Sequence, residues 1–294
     1  MNKILVSLQQ IFDAPSNRGQ FGRTLLRLCW WKINQIFFKY SVVYPLTSKT
    51  KLYCRPSSSY AGLIIYQRFP EYPEMAFLEQ IMLPSDICLD IGANIGGVTM
   101  LMAEPLTTGH VYAFEPAIEC HPDFQNSVVL NHYESKVSLN PEVISDKNGK
   151  INFVIESHSE VNHLATSNTE LGQVLPTITL DTFCKRHKLS QVDIVKIDVE
   201  GAEIKVLKGA IKLLQSQQIA VLVLELNSRG SLFGSSPSQT AAYLRMYGYQ
   251  LFEPTNDGML RTLGQIYEDR TVNIVAISKN GLRQKRFKSI MERR

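Results

Sequence analysis

The sequence of 294 residues lacks the long apolar runs and paired cysteines that mark several classes of protein. No apolar stretch reaches the ~20 residues that a membrane-spanning helix needs. The five cysteines are scattered, odd in number and without a CxxC pair, which gives no support for a zinc site or a disulfide framework. The first 14 residues have one lysine and a short, broken apolar run, unlike a secretory signal. We therefore expect a cytoplasmic location.

Acidic residues are scarce at both ends of the chain. Residues 1–50 carry seven Lys and Arg against one acid, and residues 282–294 carry six against one. The net charge of +4 therefore hides an acidic middle, from 51 to 281. Because neutralising phosphates requires a basic groove near the chemistry, this acidic body argues against nucleic acid as the main substrate. The basic ends are better suited to contact an anionic surface.

From about residue 86, short apolar runs alternate with helical patterns, as in a parallel sheet covered by helices. The predicted strands are 87–91, 111–114, 137–144, 192–197, 219–226, 250–253 and 272–278, with a hairpin arm at 150–156. The predicted helices are 95–103, 117–131, 181–187, 202–215 and 239–246. We predict a doubly wound, seven-stranded α/β domain over residues 66–281, preceded by a helical extension and linker, 1–65, and followed by a basic tail, 282–294.

Within the extension, apolar residues fall on one helical stripe between residues 23 and 40. They are Leu26, Trp30, Ile33, Phe37 and Tyr40. One interpretation is a basic helix that lies on a membrane surface. The other is a helix packed on the catalytic domain or on a partner.

The segment Asp90-Ile-Gly-Ala-Asn-Ile-Gly follows a predicted strand and opens a helix. Glycines in such a turn let the backbone bend sharply and approach a ligand closely, which favours a nucleotide-like cofactor. Alternatively, Gly92 and Gly96 simply permit tight packing of the helix on the strand. The next strand ends at Glu115, about 20 residues further on, where a carboxylate commonly binds ribose hydroxyls.

The turn lacks the GxGxxG that brings a pyrophosphate onto a helix N-terminus. This absence counts against a nicotinamide or nucleotide-sugar enzyme. It favours a cofactor with a ribose and no phosphate, which describes S-adenosylmethionine.

Four segments in order resemble the motifs of the FkbM family of methyltransferases. They are Asp90-Ile-Gly-Ala-Asn-Ile-Gly, Val111-Tyr-Ala-Phe-Glu-Pro, Ile178-Thr-Leu-Asp and Val195-Lys-Ile-Asp-Val-Glu-Gly-Ala-Glu, the last followed by Val206-Leu-Lys-Gly-Ala. The resemblance covers about residues 70–280. It implies a class I, Rossmann-like methyltransferase sheet whose last strand is antiparallel.

The resemblance also implies roles for individual residues. Asp90, Gly92, Asn94 and Gly96 would line the methionine side of S-adenosylmethionine, and Glu115 would hold the ribose. Glu142, on the third strand, is the candidate for the adenine amine.

Acidic residues follow the two most apolar strands. Asp198 ends one buried strand and should face the cleft at the carboxyl edge of the sheet. The alternative is that Asp198 caps the next helix, with Glu200 in its first turn near the helix dipole. Glu225 ends the neighbouring strand. Together these acids would supply a general base or hold a divalent cation.

His163 lies in a polar loop, residues 157–173, that would cover the cleft. It is a candidate base or substrate contact, although a solvated loop histidine is the simpler alternative.

The resemblance to the FkbM family implies methylation of a hydroxyl on a glycan, glycolipid or secondary-metabolite acceptor. Methylation of another atom or of protein, and a non-catalytic cofactor-binding scaffold, stay open as alternatives. Peripheral membrane contact through the basic N-terminal helix is a further expectation.

Overall fold

The computed structural model describes residues 11–69, 72–154, 163–164, 172–287 and 290–291. Its strands are β1 (Val42–Pro45), β2 (Lys51–Cys54), β3 (Ile87–Ile91), β4 (His110–Phe114), β5 (Val137–Asn140), β6 (Val143–Ile144), β7 (Gly149–Val154), β8 (His163–Leu164), β9 (Gln173–Ile178), β10 (Val192–Ile197), β11 (Ile219–Leu226), β12 (Gln250–Pro254), β13 (Leu260–Thr262) and β14 (Val272–Ile277). Its α-helices are α1 (Phe21–Ile33), α2 (Ser59–Gln67), α3 (Tyr72–Ile81), α4 (Gly97–Ala103), α5 (His121–Leu130), α6 (Leu180–Arg186), α7 (Glu203–Lys208), α8 (Ile211–Gln215), α9 (Pro237–Met246) and α10 (Lys279–Leu282).

The main sheet has eight strands in the order β13-β12-β14-β11-β10-β3-β4-β5. The five strands from β11 to β5 run parallel, and β14 is antiparallel to both of its neighbours. The predicted seven strands with an antiparallel last strand are thus confirmed, and β13 adds an unpredicted eighth at the edge. Because the winding reverses between β3 and β10, the crevice for a ligand lies at their carboxyl ends.

The main sheet is the central layer of the domain because its strands carry apolar side chains on both faces. Alternation along β11 sends Val221 and Val223 into one core cluster and Leu222 and Leu224 into another. The first cluster includes residues of α2, α3 and α4, and the second includes residues of α6 to α9. The domain is therefore a three-layer α/β/α structure.

The predicted third strand, 137–144, is interrupted near Pro141. β5 stays in the main sheet, whereas β6 pairs with β9 in a second sheet of order β6-β9-β7-β8. Proline has no N–H to donate and a fixed φ, which accounts for the break. The predicted hairpin arm is β7, and it pairs antiparallel with β9.

The predicted helix 202–215 consists of two short helices, α7 and α8. At the junction, a side chain on Gly209 would place its Cβ 2.1 Å from the backbone oxygen of Ser145. The Gly209 oxygen also accepts the N–H of Asp181 at 3.0 Å. Contacts with two distant segments, at Ser145 and Asp181, therefore determine the path of the backbone at Gly209.

Residues 42–67 contain a hairpin and a helix that pack against α4 and α5 of the main domain. In the hairpin, Tyr53 donates its N–H to the Ser127 hydroxyl of α5 at 2.9 Å. In α2, the ring of Tyr60 lies so close to Gly97 that a Cβ there would be 3.0 Å away. The predicted boundary between residues 65 and 66 falls within α2.

Helix α1 packs on the domain through Thr24, Leu28 and Trp31, which are buried. A π-helical turn, Asn34–Phe38, continues it. The predicted apolar stripe, Leu26 to Tyr40, is on the opposite side and exposed to solvent. No helix in the described ranges is both long enough and apolar enough to span a bilayer.

Part of the C-terminal segment folds back on the amino edge of the main sheet. Phe287 is fully buried, and the Arg286 guanidinium pairs with Asp86 at 2.6 Å and with Asp193 at 3.4 Å. Within the predicted basic tail, 282–294, these two residues are therefore anchored to the domain by a buried aromatic ring and by ion pairs with two carboxylates.

Candidate active site

The loop between β3 and α4 turns sharply at Gly92. This residue has a φ of 87°, and a Cβ there would lie 1.9 Å from the backbone oxygen of Asp198. The N–H groups of Gly92 and Ala93 both donate to the Phe114 oxygen at 3.0 Å. The sharp turn predicted from the glycines is present, and the loop is held against the ends of the two neighbouring strands.

Gly96 ends the loop with a φ of 91°. A Cβ at this position would come within 2.8 Å of the Phe124 ring. Close packing thus requires a glycine at position 96, although the neighbour is α5 and not the strand that the sequence suggested. Contact of Gly96 with a cofactor stays a prediction.

Glu115 closes the same loop from the end of β4. Its carboxylate accepts the N–H of Asn94 at 2.8 Å and the N–H of Ala117 at 2.9 Å. Burial raises the pKa of Glu115 to about 7, while these two donors act in the opposite direction. Each carboxylate oxygen has a second lone pair, so the group retains acceptor capacity for ribose hydroxyls.

Asp90 ends β3 as a fully buried carboxyl group. One oxygen accepts a hydrogen bond from the Thr99 hydroxyl, and the other has no hydrogen-bond partner among the described residues. Burial raises the pKa of Asp90, and the nearby Lys196 opposes that shift. Because an unsatisfied buried oxygen is costly, this position fits a donor supplied by a ligand or an ordered water. The amino group of S-adenosylmethionine is such a donor.

Lys196 and Asp198 form an ion pair beside Asp90. Lys196 lies opposite Asp90 in the register of β10 and β3, and its Nζ is 3.1 Å from the Asp198 carboxylate. The Lys196 side chain is almost buried, whereas that of Asp198 is 25% exposed. Ala202, not Asp198, is the N-cap of α7, which removes the capping alternative. Asp198 therefore lies at the carboxyl edge, as predicted.

The loop after Asp198 is held by a second buried carboxyl group. Glu203 accepts the N–H groups of Val199 at 3.2 Å and Gly201 at 3.0 Å, and burial raises its pKa to about 8. Glu200 has a positive φ of 53°, and its carboxylate pairs with Arg229 at 2.7 Å. These two glutamates therefore act differently, one in shaping the loop and the other in an ion pair near the surface.

Glu225 lies at the end of β11, opposite Asn273 of β14. The Asn227 amide donates to the Glu225 carboxylate at 3.3 Å. The register of β10 and β11 continues to Ile197 and Leu224, so Asp198 and Glu225 follow at adjacent strand ends. In the described part of the chain, no three His, Cys, Asp or Glu side chains form a group that could hold a metal ion. The predicted convergence of Asp198, Glu200 and Glu225 into a metal-binding cluster is therefore not found there.

The last two predicted site residues, Glu142 and His163, lie outside the loops described above. Glu142, between β5 and β6, has its carboxylate 3.7 Å from the Arg186 guanidinium. Its contact with adenine stays a prediction. The backbone of His163 pairs with Val154 in β8 and β7, but its side chain lies outside the described structure.

Three residues at this edge were not selected from the sequence: Lys196, Thr99 and Arg229. A lysine within a buried, otherwise apolar strand is a readable signal, because a buried charge requires a partner. No sequence pattern around Thr99 or Arg229 marks them as site residues, because their partners, Asp90 and Glu200, lie elsewhere in the chain.

The strand order, the antiparallel β14 and the glycine turn at the switch point define the fold of a class I S-adenosylmethionine-dependent methyltransferase. Residues 90–251 match the model of the methyltransferase FkbM domain. Since the match covers more than half of the chain, the protein belongs to the FkbM methyltransferase family, and the resemblance is confirmed.

A curated relative is the hexuronic acid methyltransferase AglP of Haloferax volcanii. It is 30% identical over 139 residues, which are 47% of this chain and 55% of the relative. The chain thus spans about half the length of that relative.

Solved structures give more distant likenesses. An O-methyltransferase from Bacillus cereus, in complex with SAH, has a TM-score of 0.38 and 12% identity, covering 71% of this chain and 81% of its own. An rRNA methylase from Streptococcus thermophilus has a TM-score of 0.38 and 13% identity, covering 70% and 95%. At these scores neither carries an argument about the acceptor.

Proposed function

We propose that this protein transfers the methyl group of S-adenosylmethionine to a hydroxyl oxygen of a sugar-type acceptor. Family membership supports methyl transfer, and the relative named for hexuronic acid supports a sugar. The structural observation that carries the proposal is the Lys196–Asp198 pair beside the buried Asp90 at the carboxyl edge. The exclusion of nucleic acid and the cytoplasmic location stay predictions.

The cofactor side of the site is assigned to the loop after β3. The unpartnered oxygen of Asp90 is suited to the cofactor amino group, and Glu115 is suited to its ribose hydroxyls. Gly92 lets the backbone pass close to this position. When bound, the cofactor supplies a methyl group on a positively charged sulfur.

Asp198 is assigned to the acceptor side, because it combines a carboxylate with partial exposure at the crevice. As the hydroxyl oxygen bonds to the methyl carbon, the carbon–sulfur bond breaks with its electrons on sulfur. The hydroxyl proton then passes to Asp198. Because the displacement is in line, positioning of the oxygen contributes much of the rate. Glu225 follows at the end of the adjacent strand, β11, beside Asp198, and is a candidate for orienting the hydroxyl.

An acidic sugar is favoured by Arg229. Its side chain is 44% exposed, and it lies on the 3-10 helix Ser228–Phe233 that follows β11 at the carboxyl edge. A sugar carboxylate would replace or share its contact with Glu200. Arginine suits this role, since its planar guanidinium binds carboxylates in a bidentate manner.

Calorimetry with S-adenosylmethionine and S-adenosylhomocysteine, with NADH as a control ligand, tests the cofactor. We expect binding of the two sulfur compounds alone. Binding of NADH, or no binding by either sulfur compound, would overturn the cofactor assignment.

Transfer of labelled methyl to hexuronic acid glycosides, neutral glycosides, a protein and an RNA then tests the acceptor. Asp198→Asn should lower kcat by about 10²–10⁴ with little change in cofactor affinity. Glu253→Gln, a partly exposed acid paired with Arg261 outside the site, is the matched control. Arg229→Gln should raise KM for the acidic glycosides only. Transfer to RNA or protein alone would disprove the sugar acceptor, and cofactor binding without any transfer would indicate a non-catalytic scaffold.

A further inference from the structure

Among the described residues, exposed apolar side chains are most concentrated near the N-terminus, far in sequence from the residues of the carboxyl edge. Ten of the eighteen large apolar side chains exposed in the described residues fall between residues 21 and 43. Phe21 stacks on Phe12, with the ring centroids 4.7 Å apart, and we call the other nine the outward face: Leu25, Leu26, Trp30, Ile33, Ile36, Phe37, Phe38, Tyr40 and Val43. Leu26, Trp30 and Ile33 are spaced at i, i+4 and i+7 and therefore lie on one side of α1, and an exposed apolar patch of this kind marks an interaction site.

We propose that the outward face docks on the headgroup region of an anionic phospholipid bilayer. This inference is independent of the methyl acceptor, because it concerns a surface with no part in the proposed chemistry.

The position of α1 makes the outward face available while fixing it to the body of the protein. Trp31 is fully buried and lies against Gly62 of α2. The Asn34 side chain is also buried, and its amide donates to the Tyr40 oxygen at 2.8 Å, which closes the π-helical turn. The opposite side, centred on Leu26 and Ile33, faces solvent, because both side chains are exposed.

Positive charge lies on both flanks of the outward face. A helix turns about 100° per residue, which places Arg23 about 60° from Leu26 on one flank and Lys32 about 120° away on the other. Both side chains are exposed, as is Lys39 at the end of the turn. An apolar centre with cations at its borders is the pattern of helices that lie in the interfacial plane.

The positive charge of this N-terminal region indicates what binds to the outward face. Between Asp13 and Glu71 the sequence contains nine Lys and Arg and no Asp or Glu. An anionic lipid surface complements this charge, and aromatic residues such as Trp30 and Tyr40 are favoured at headgroup depth. A second copy of the chain in a two-fold contact would instead oppose like charges.

Vesicle flotation of the full chain tests the proposal. Vesicles of phosphatidylcholine with 30% phosphatidylglycerol, roughly the anionic fraction that attracts basic helices, are compared with pure phosphatidylcholine. We expect binding to the anionic vesicles that weakens as salt rises. Equal binding to both vesicle types, or no binding to either, would overturn the proposal.

Matched variants separate the outward face from general stickiness. Leu26→Ser with Phe37→Ser should reduce binding at least about tenfold, because two exposed apolar anchors are lost. Leu232→Ser with Met246→Ser, exposed elsewhere, should leave it unchanged. Each of Arg23→Gln and Lys32→Gln should reduce binding about fivefold, whereas Lys150→Gln and Lys188→Gln should not. Equal effects of the outward-face variants and of their matched controls would contradict the proposal.

Tryptophan fluorescence gives a second readout. The protein has two tryptophans, of which Trp30 is 47% exposed and Trp31 is fully buried. On anionic vesicles the emission should shift to the blue and be quenched by brominated lipid, and Trp30→Phe should abolish both changes. A concentration-dependent dimer that Leu26→Ser dissociates, without any vesicle effect, would assign the face to a second copy instead.

Discussion

Glu115 is a buried acid whose pKa is raised to about 7, and it is the residue that we propose binds the ribose. Ribose hydroxyls donate to the ionised carboxylate, so cofactor binding favours loss of the Glu115 proton. Affinity for S-adenosylhomocysteine should therefore rise from pH 6 to pH 8 and level off above that. Calorimetry across this range measures the change.

Replacement of the carboxylate should remove this pH dependence. Glu115→Gln should weaken binding at pH 8 by about 1.5–3 kcal/mol, the scale of a lost charged hydrogen bond. Glu134→Gln, an exposed acid between α5 and β5, is the control. A flat pH profile in the unmodified protein would move the ribose site away from Glu115.

Gly92 provides a separate prediction at the residue scale. Gly92→Ala combines a positive φ with a Cβ 1.9 Å from the Asp198 oxygen, so the turn must shift. The left-handed conformation alone costs about 1–2 kcal/mol. We expect a lower melting temperature and weaker cofactor binding.

Gly264→Ala is the matched control, because nothing lies within 4 Å of the Cβ position there. It should leave both quantities nearly unchanged. Equal behaviour of the two variants would show that the turn does not depend on glycine.

At the scale of elements, the Arg286 contact joins the C-terminal segment to the amino edge of the sheet. Arg286→Met would leave the buried Asp86 carboxylate without its counter-ion and should cost about 3–5 kcal/mol. Arg261→Met, which breaks an exposed pair with Glu253, should cost less than about 1 kcal/mol. Urea unfolding measures both.

The pH dependence of the Arg286→Met variant has a definite sign. Burial raises the pKa of Asp86, and Arg286 lowers it, so loss of the arginine raises it further. A raised pKa means that the folded state takes up protons as pH falls. The deficit relative to the unmodified protein should therefore shrink from pH 8 to pH 5, and a deficit that grows would contradict this account.

The elements also show where sequence reasoning works and where it stops. Ile219–Leu226 was predicted with its observed bounds, because a short, continuous apolar run is typical of a central parallel strand. The break near Pro141 was readable in principle. The split of helix 202–215 was not, since it depends on the approach of Ser145 to Gly209 from a distant segment.

The candidate site divides in the same way. The ends of β3, β4 and β10 follow from the strand pattern, so Asp90, Glu115 and Asp198 were placed correctly at the edge. The pairing of Glu200 with Arg229 was not predicted, because it joins two loops whose conformation is set by neighbouring strands. Whether these residues act as assigned stays a prediction.

At the scale of the whole molecule, the question is where the independently folding unit begins. The predicted boundary after residue 65 would remove Ile64 and Ile65, both fully buried in the core cluster beneath the sheet. Losing one buried isoleucine side chain typically costs about 2–5 kcal/mol. Two such losses, with the rest of α2, would match the 5–15 kcal/mol that stabilise a typical domain.

A chain that begins at residue 66 should therefore fail to give a cooperative unfolding transition or to bind S-adenosylhomocysteine. A milder pair of variants tests the same packing in a folded protein. Ile64→Ala should lower the free energy of unfolding by about 2–5 kcal/mol, whereas Ile118→Ala, 63% exposed, should change it by less than about 0.5 kcal/mol. A stable, cofactor-binding chain from residue 66 onward would show that α1, the hairpin and α2 are an appendage, because the sheet would then retain its core without their buried side chains.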